Sequence, residues 1–214
     1  MLVIAVVNLK GGSGKTTTSG FFAAAFHEAG MRVLGVDADG ENDSLAGWQA
    51  AADLPWPVVG MAVPNLHKQL PGITGDRYDV VVVDTPPMKA QRGTVLSAAR
   101  AATHVVIPMA PTPIEYDRLA AVRHLLDDVA DLRPDGRPPA HAVLLTKCKP
   151  RAASTGVYRQ RAVDDGITVL TAQVGNLERF AQAWADPIVK ALDTPYGAAA
   201  MELLNLDSHL ETTA

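Results

Sequence analysis

Short runs of apolar, β-branched residues alternate along the chain with longer stretches in which apolar positions recur at helical spacing. Leu2–Val7, Arg32–Val36, Asp79–Val83, His104–Pro108, Ala142–Leu145 and Ile167–Leu170 read as strands. Most are apolar at consecutive positions, as expected of strands covered on both faces. Lys15–Ala29, Gly93–Ala101, Ile114–Leu132, Ala153–Asp164, Asn176–Ala185 and Thr194–Asn205 read as helices. In Ile114–Leu132, the positions Leu119, Val122, Leu125, Leu126 and Val129 share a face and are expected to pack on the sheet. Leu54–Gly75 reads as an irregular crossing with one short helix, and Pro134–Pro139 as a loop. Trp48, Trp56 and Trp184 are read as core or edge packing, and His104 as a satisfied residue on a strand rim. The alternation predicts an α/β fold, a parallel or mostly parallel twisted sheet flanked by helices. No break argues for a second domain, so residues 1–214 are read as one.

Composition changes this picture little. Apolar residues make up 48% of the 214 and charged residues 20%, as in an ordinary globular protein. The longest apolar runs are too short to span a bilayer. The chain enters a strand almost at once, so no leader or upstream module is expected. Cys148 is the single cysteine, which excludes an internal disulfide and fits a reducing, cytoplasmic setting. The net charge of −4 announces no nucleic-acid partner, so any such contact needs a local patch.

Chemistry enters at Lys10-Gly11-Gly12-Ser13-Gly14-Lys15-Thr16-Thr17, between the first strand and the first helix. The glycines let backbone amides turn inward toward phosphates, at the positive end of a helix. Lys15 is placed to pair with the β and γ phosphates, and Thr16 to offer its hydroxyl to Mg²⁺. Lys10, at the opposite end of the glycines, is an additional cation. Acids end two later strands, where open α/β sheets bind their ligands. Asp84 follows four valines and has the form of a Walker B acid holding Mg²⁺. Asp37 and Asp39 flank Ala38; one would orient or deprotonate the attacking water while the other, with Asp39 the metal candidate, serves Mg²⁺ or a switch loop. Both also fit as caps of a following helix or turn. Thr146 and Lys147 end a strand on the side where P-loop folds face the base.

Together these residues resemble the deviant-Walker P-loop ATPases of the ParA/MinD family. The resemblance rests on Lys10–Thr17 as a deviant Walker A loop, on Val36–Asp39 and Val83–Pro87 as the acidic motifs, and on Val106–Pro113 as the proline-bearing segment after the fourth core strand. It covers about the first half of the chain and implies an ATPase using ATP and Mg²⁺, slow and stimulated by a partner. It also implies a homodimer formed on ATP, in which Lys10 reaches the nucleotide of the other subunit. The chain departs from the family at Asp39-Gly40-Glu41, where Asp-Pro-Gln is common, which puts ordinary switch behaviour in doubt.

Branches of the family separate on single features. Iron-protein relatives need two cluster cysteines per subunit, and only Cys148 is present. MinD-type relatives end in a basic membrane-lying helix, whereas Glu202–Glu211 here is acidic. Tyrosine-kinase relatives carry a C-terminal tyrosine cluster, and Tyr196 stands alone in that region. The small, ParF-like ParA type remains. It implies a nucleoid-associated ATPase that segregates plasmid or chromosomal DNA with a centromere-binding adaptor of ParB type and no membrane. The candidate contact to nonspecific DNA is the acid-free stretch Lys147–Arg161, with Lys149, Arg151, Arg159 and Arg161. A solvated helix face beside an adenine-side loop explains the same stretch. A positioning ATPase for a protein cargo is the alternative function, and a dethiobiotin-synthetase-like ligase a further one that Lys10 argues against.

Overall fold

The computed structural model describes residues 1–42 and 44–206. Seven strands form one sheet in the order β3-β2-β4-β1-β5-β6-β7, and every pairing is parallel. They are β1 (Leu2–Val6), β2 (Val33–Asp37), β3 (Val58–Gly60), β4 (Val80–Asp84), β5 (His104–Met109), β6 (Ala140–Cys148) and β7 (Val169–Gly175). From β1 the chain winds to one edge through β2, β3 and β4, then to the other through β5, β6 and β7. The carboxyl end of β1 therefore lies where the winding reverses, the usual place for a ligand crevice.

The continuous apolar strands are explained by two cores. In β1, Val3 and Ala5 face one layer, while Ile4 and Val6 face the other. The first layer is covered by α3 (Leu66–Thr74), α4 (Arg92–Ala101) and α6 (Leu119–Leu132). All five positions expected to line one face of α6 are buried. The second layer is covered by α1 (Lys15–Glu28) and α9 (Pro195–Leu203), through Phe22, Phe26, Ala199 and Leu203. Each fully buried Phe or Leu contributes about 1.5–3 kcal/mol. Among the described residues no helix is long and apolar enough to cross a membrane.

Several elements differ from the sequence reading. The helix α2 (Ser44–Ala52) was not expected; its first-turn amides are capped by Asp37, which lies on a different element. The three-residue β3 hides in the proline-rich crossing, where Val58 packs closely over Gly35. Ile114–Leu132 is two helices, α5 (Pro113–Asp117) and α6, parted at Arg118, whose guanidinium turns back to Glu115. β7 runs on to Gly175 because it is an edge strand with exposed Thr171 and Gln173 alternating with buried or partly buried neighbours. Only α8 (Glu178–Ala181) forms in Asn176–Ala185, while α7 (Ala153–Asp164) matches its expected bounds. Trp48 and Trp56 are buried, but Trp184 is 57% exposed, its Nε1 donating to the Ser44 carbonyl at 3.0 Å. Residues 207–211 of the acidic tail lie outside the described residues.

Helix α9 packs so closely on the turn at Ala191–Asp193 that one residue must lack a side chain. A Cβ on Gly197 would lie 2.3 Å from the Ala191 carbonyl oxygen and 2.6 Å from Leu192 Cα. Both obstacles are backbone, so neither can rotate away. Gly197→Ala is expected to cost about 3 kcal/mol of unfolding free energy. Gly72→Ala, on the exposed side of α3 with nothing within 4 Å, is expected to gain about 0.5 kcal/mol. Urea titrations of both variants check the contrast, and equal stabilities would refute it.

Candidate active site

The loop between β1 and α1 is fixed at its start. Asn8 is buried, donates through Nδ2 to the Pro108 carbonyl at 2.8 Å and accepts the Lys10 amide at 3.2 Å. Gly12 and Gly14 take left-handed backbone, φ 72° and 91°, with open space where a Cβ would stand. That leaves a cradle on the positive end of α1. A cleft of about 540 Å³ opens over it, lined by Lys15, Thr16 and Thr17 and by Asn176, Leu177 and Phe180.

Lys15 is buried at the cleft floor, its Nζ donating to the Lys10 carbonyl at 3.2 Å. Burial pushes its pKa down, opposed by the charges of Asp84 and Asp39. A desolvated cation with a single neutral acceptor is poised to take an anion. Behind it, Asp84 accepts from the Thr16 hydroxyl at 2.7 Å and from the Ser19 hydroxyl at 3.1 Å. Burial is the main reason the Asp84 carboxyl titrates at about 7; the like charge of Asp37, its register partner between β2 and β4, adds to this. Hydroxyl and carboxylate oxygens in this arrangement fit Mg²⁺, with Thr16 and Asp84 as the residues that would hold it. When bound, the ion neutralises charge on the phosphates.

The two acids of β2 and its following loop part company. Asp37 is 1% exposed, accepts the amides of Asp39, Leu45 and Ala46 at 2.8–3.0 Å, and does not line the cleft. Both its oxygens accept backbone amides and the residue caps α2, the second role the sequence allowed, while the water-orienting role falls more readily to Asp39. Asp39 does line the cleft, at 8% exposure, held by the Asn42 side chain at 3.0 Å and the Glu41 amide at 3.4 Å. Gly40 is packed so that a Cβ would meet that of Ala62 at 2.7 Å. The local sequence thus has a steric reason for glycine there.

At the base side, Thr146 lines the cleft with its hydroxyl buried and without a hydrogen-bond partner among the described residues. Lys147, in left-handed backbone, spans the cleft so that Nζ reaches the Gly12 carbonyl at 2.6 Å. Gly11, Gly12, Gly14, Lys15, Thr16 and Thr17 line the cleft as expected; Ser13 is buried outside it, its hydroxyl directed to the Lys10 carbonyl. Lys10 does not line the cleft either. Its side chain is 45% exposed, and the ammonium pairs with Glu115 at 3.3 Å.

Of the residues in the expected DNA stretch, Lys149, Arg151 and Arg159 line one cleft, and Arg161 lies apart from it. Arg159 spends its guanidinium on the carbonyls of Leu170 and Thr171, and Arg161 lies over the Tyr116 ring at 4.8 Å. Lys149 and Arg151 are exposed and line a second cleft, which Arg159 also borders. Sequence reasoning missed Ser19, Asn42, Asn176 and Glu115. Ser19 was legible in principle, one helical turn beyond Thr16 on the same face. Asn176 was hidden because β7 was ended too early.

Comparison with known proteins agrees with this geometry. A family model described as an AAA domain matches residues 1–54. Maintenance of carboxysome distribution protein A of Gloeobacter kilaueensis is 37% identical over 164 residues, 75% of this chain and 70% of the relative. The protein of the same name in Halothiobacillus neapolitanus is 31% identical over 179 residues, 80% of this chain and 78% of the relative. The chromosome-partitioning ATPase Soj of Thermus thermophilus is 31% identical over 164 residues, 63% of this chain and 64% of the relative. Among solved structures, apo McdA of Cyanothece superposes with TM-score 0.76 at 17% identity, covering 95% of this chain and 99% of the other. MinD of Pyrococcus horikoshii with Mg-ADP superposes with TM-score 0.71 at 18% identity, covering 98% and 97%. The glycine cradle over α1, the acid behind it and relatives spanning most of both chains lead to one assignment: this protein belongs to the ParA/MinD family of P-loop ATPases.

Proposed function

We propose that the chain is a positioning ATPase that distributes a protein assembly. On ATP it forms a face-to-face homodimer, the dimer holds nonspecific DNA of the nucleoid, and a small adaptor on the cargo stimulates hydrolysis and release. The observation that carries this reading is the similarity to two distribution proteins, at 37% and 31% identity over 75% and 80% of the chain. In the site, Lys15 would hold the phosphates and Asp39, the acid that faces the cleft, would orient the attacking water. Lys10 would complete the site of the partner subunit. Lys10 lies outside its own cleft in the single chain, and that supports its acting in trans. Thr146, Lys147 and Asn176 would face the base. Lys149 and Arg151 remain candidates for phosphate-backbone contact, doubled in a dimer.

Segregation of DNA with a centromere-binding adaptor of ParB type is the second reading, favoured by the similarity to Soj. Deleting the gene in its host separates the two. A positioning ATPase is expected to leave inheritance of every replicon at wild-type frequency while evenly spaced protein bodies, imaged by cryo-tomography, collapse into clusters. Loss of a plasmid or chromosome with all such bodies still evenly spaced would transfer the assignment to DNA segregation.

A further inference from the structure

The backbone of Lys10 is tied to the phosphate loop, but its side chain is not. Its carbonyl accepts from Lys15 and Ser13, while its ammonium turns away to Oε1 of Glu115. Glu115 stands in the first turn of α5 and is only 7% exposed. The same oxygen takes the Arg118 guanidinium at 2.5 Å, so two cations share one atom. The other oxygen, Oε2, is buried with no hydrogen-bond partner among the described residues. An unsatisfied buried oxygen is costly, and an arginine fork can satisfy both oxygens of a carboxylate at once. With Lys10 in place Arg118 holds one oxygen only; with Lys10 gone it can re-seat on two. A second arrangement, with Arg118 across both oxygens, would release the lysine.

We propose that Glu115 is a positioning residue for Lys10, a counter-ion that parks this lysine in the lone subunit and gives it up to the partner's nucleotide phosphates, with Arg118 taking over the vacated carboxylate. This rests on the reading that Lys10 acts in trans. Dimerisation then requires an exchange of anions, carboxylate for phosphate, at both halves of a symmetric interface. Nucleotide rather than encounter alone sets when two subunits lock together.

Glu115→Gln keeps the size and removes the charge. With a non-hydrolysable ATP analogue, its dimer dissociation constant is expected to fall about tenfold by sedimentation, from about threefold per subunit for a pair whose lysine is half-exposed, squared by symmetry. In a Lys10→Ala background the same change is expected to do nothing. Arg118→Lys, which cannot fork across both oxygens, is expected to shift the constant the other way by about threefold per subunit, so the test survives if Glu115→Gln fails to fold. A tighter dimer from Glu115→Gln even without Lys10 would overturn the proposal, since that effect would be structural. Wild-type association in Glu115→Gln, beside a Lys10→Ala protein that has lost dimer-dependent hydrolysis, would overturn the latch and leave the in-trans role standing. Wild-type hydrolysis in Lys10→Ala would overturn both.

Discussion

Lys10→Ala is expected to lower dimer-dependent ATP hydrolysis by about 10²–10³ while leaving ATP binding to the monomer within about threefold of wild type. The two lysines of the loop are divided by geometry. Lys15 is buried at the cleft floor with its pKa pushed down by burial, and it already faces two acids of the site. Lys10 is half-exposed, outside the cleft, and bound to a carboxylate of another element. Removing it takes nothing from the monomer's phosphate cradle except an exposed charge, whose worth to binding in water is small. Its effect falls on the hydrolytic step, where a cation placed on developing phosphate charge in a closed, water-poor interface is worth several kcal/mol. Fluorescent-nucleotide titration and single-turnover hydrolysis at several protein concentrations separate the two quantities. Equal hydrolysis in the variant and the wild type at high concentration would refute the division. A loss of binding matching the loss of rate would instead place Lys10 in its own subunit's site.

That division was half legible in the sequence. The spacing Lys-Gly-Gly-Ser-Gly-Lys announces two cations around one cradle, but not the direction of the first. Direction depends on Glu115, more than a hundred residues away, brought beside the loop because β5 neighbours β1. The strands of the sheet centre were readable for a physical reason: β1, β4 and β5 are buried on both faces and so carry continuous apolar runs, broken only at their ends by Asp84 and His104. The edge strand β7 alternates, and its end was misplaced with Asn176 beyond it. Helix α2 escaped because its cap is supplied by Asp37 on β2, a contact no local pattern records. The same contact decides between Asp37 and Asp39. One residue apart in sequence they look equivalent; in the fold one carboxylate is saturated by amides and the other borders the cleft.

Asp84→Asn is expected to stabilise the nucleotide-free protein at pH 8 by about 2 kcal/mol while abolishing its stabilisation by Mg-ATP. The carboxyl is fully buried behind Thr16 and Ser19, and burial, with Asp37 alongside, raises its pKa from the ordinary 3.8 to about 7. The sign follows from proton counting. Between about pH 4 and 7 the folded chain holds this proton more tightly than the unfolded chain, so Asp84's contribution to stability falls as pH rises through that window and its cost is complete above it. An amide in the same place carries no such cost. Part of the gain is given back, because the buried Lys15 loses an opposite charge that favours its ammonium form. The stability difference between variant and wild type should therefore be largest at pH 8 and close to nil at pH 4, when both proteins are unfolded by urea without nucleotide. Saturating Mg-ATP reverses the ranking, since a ligand at about 100 times its dissociation constant stabilises the wild type by about 2.7 kcal/mol and the variant has lost the carboxylate that would help hold the ion. A difference that grows as pH falls would mean that Asp84 is ionised in the nucleotide-free state and held by its two hydroxyls and Lys15 at no net cost. The opposite trend, with its reversal by Mg-ATP, would show that the site keeps a carboxylate where folding alone favours a neutral group, because the ligand needs its charge.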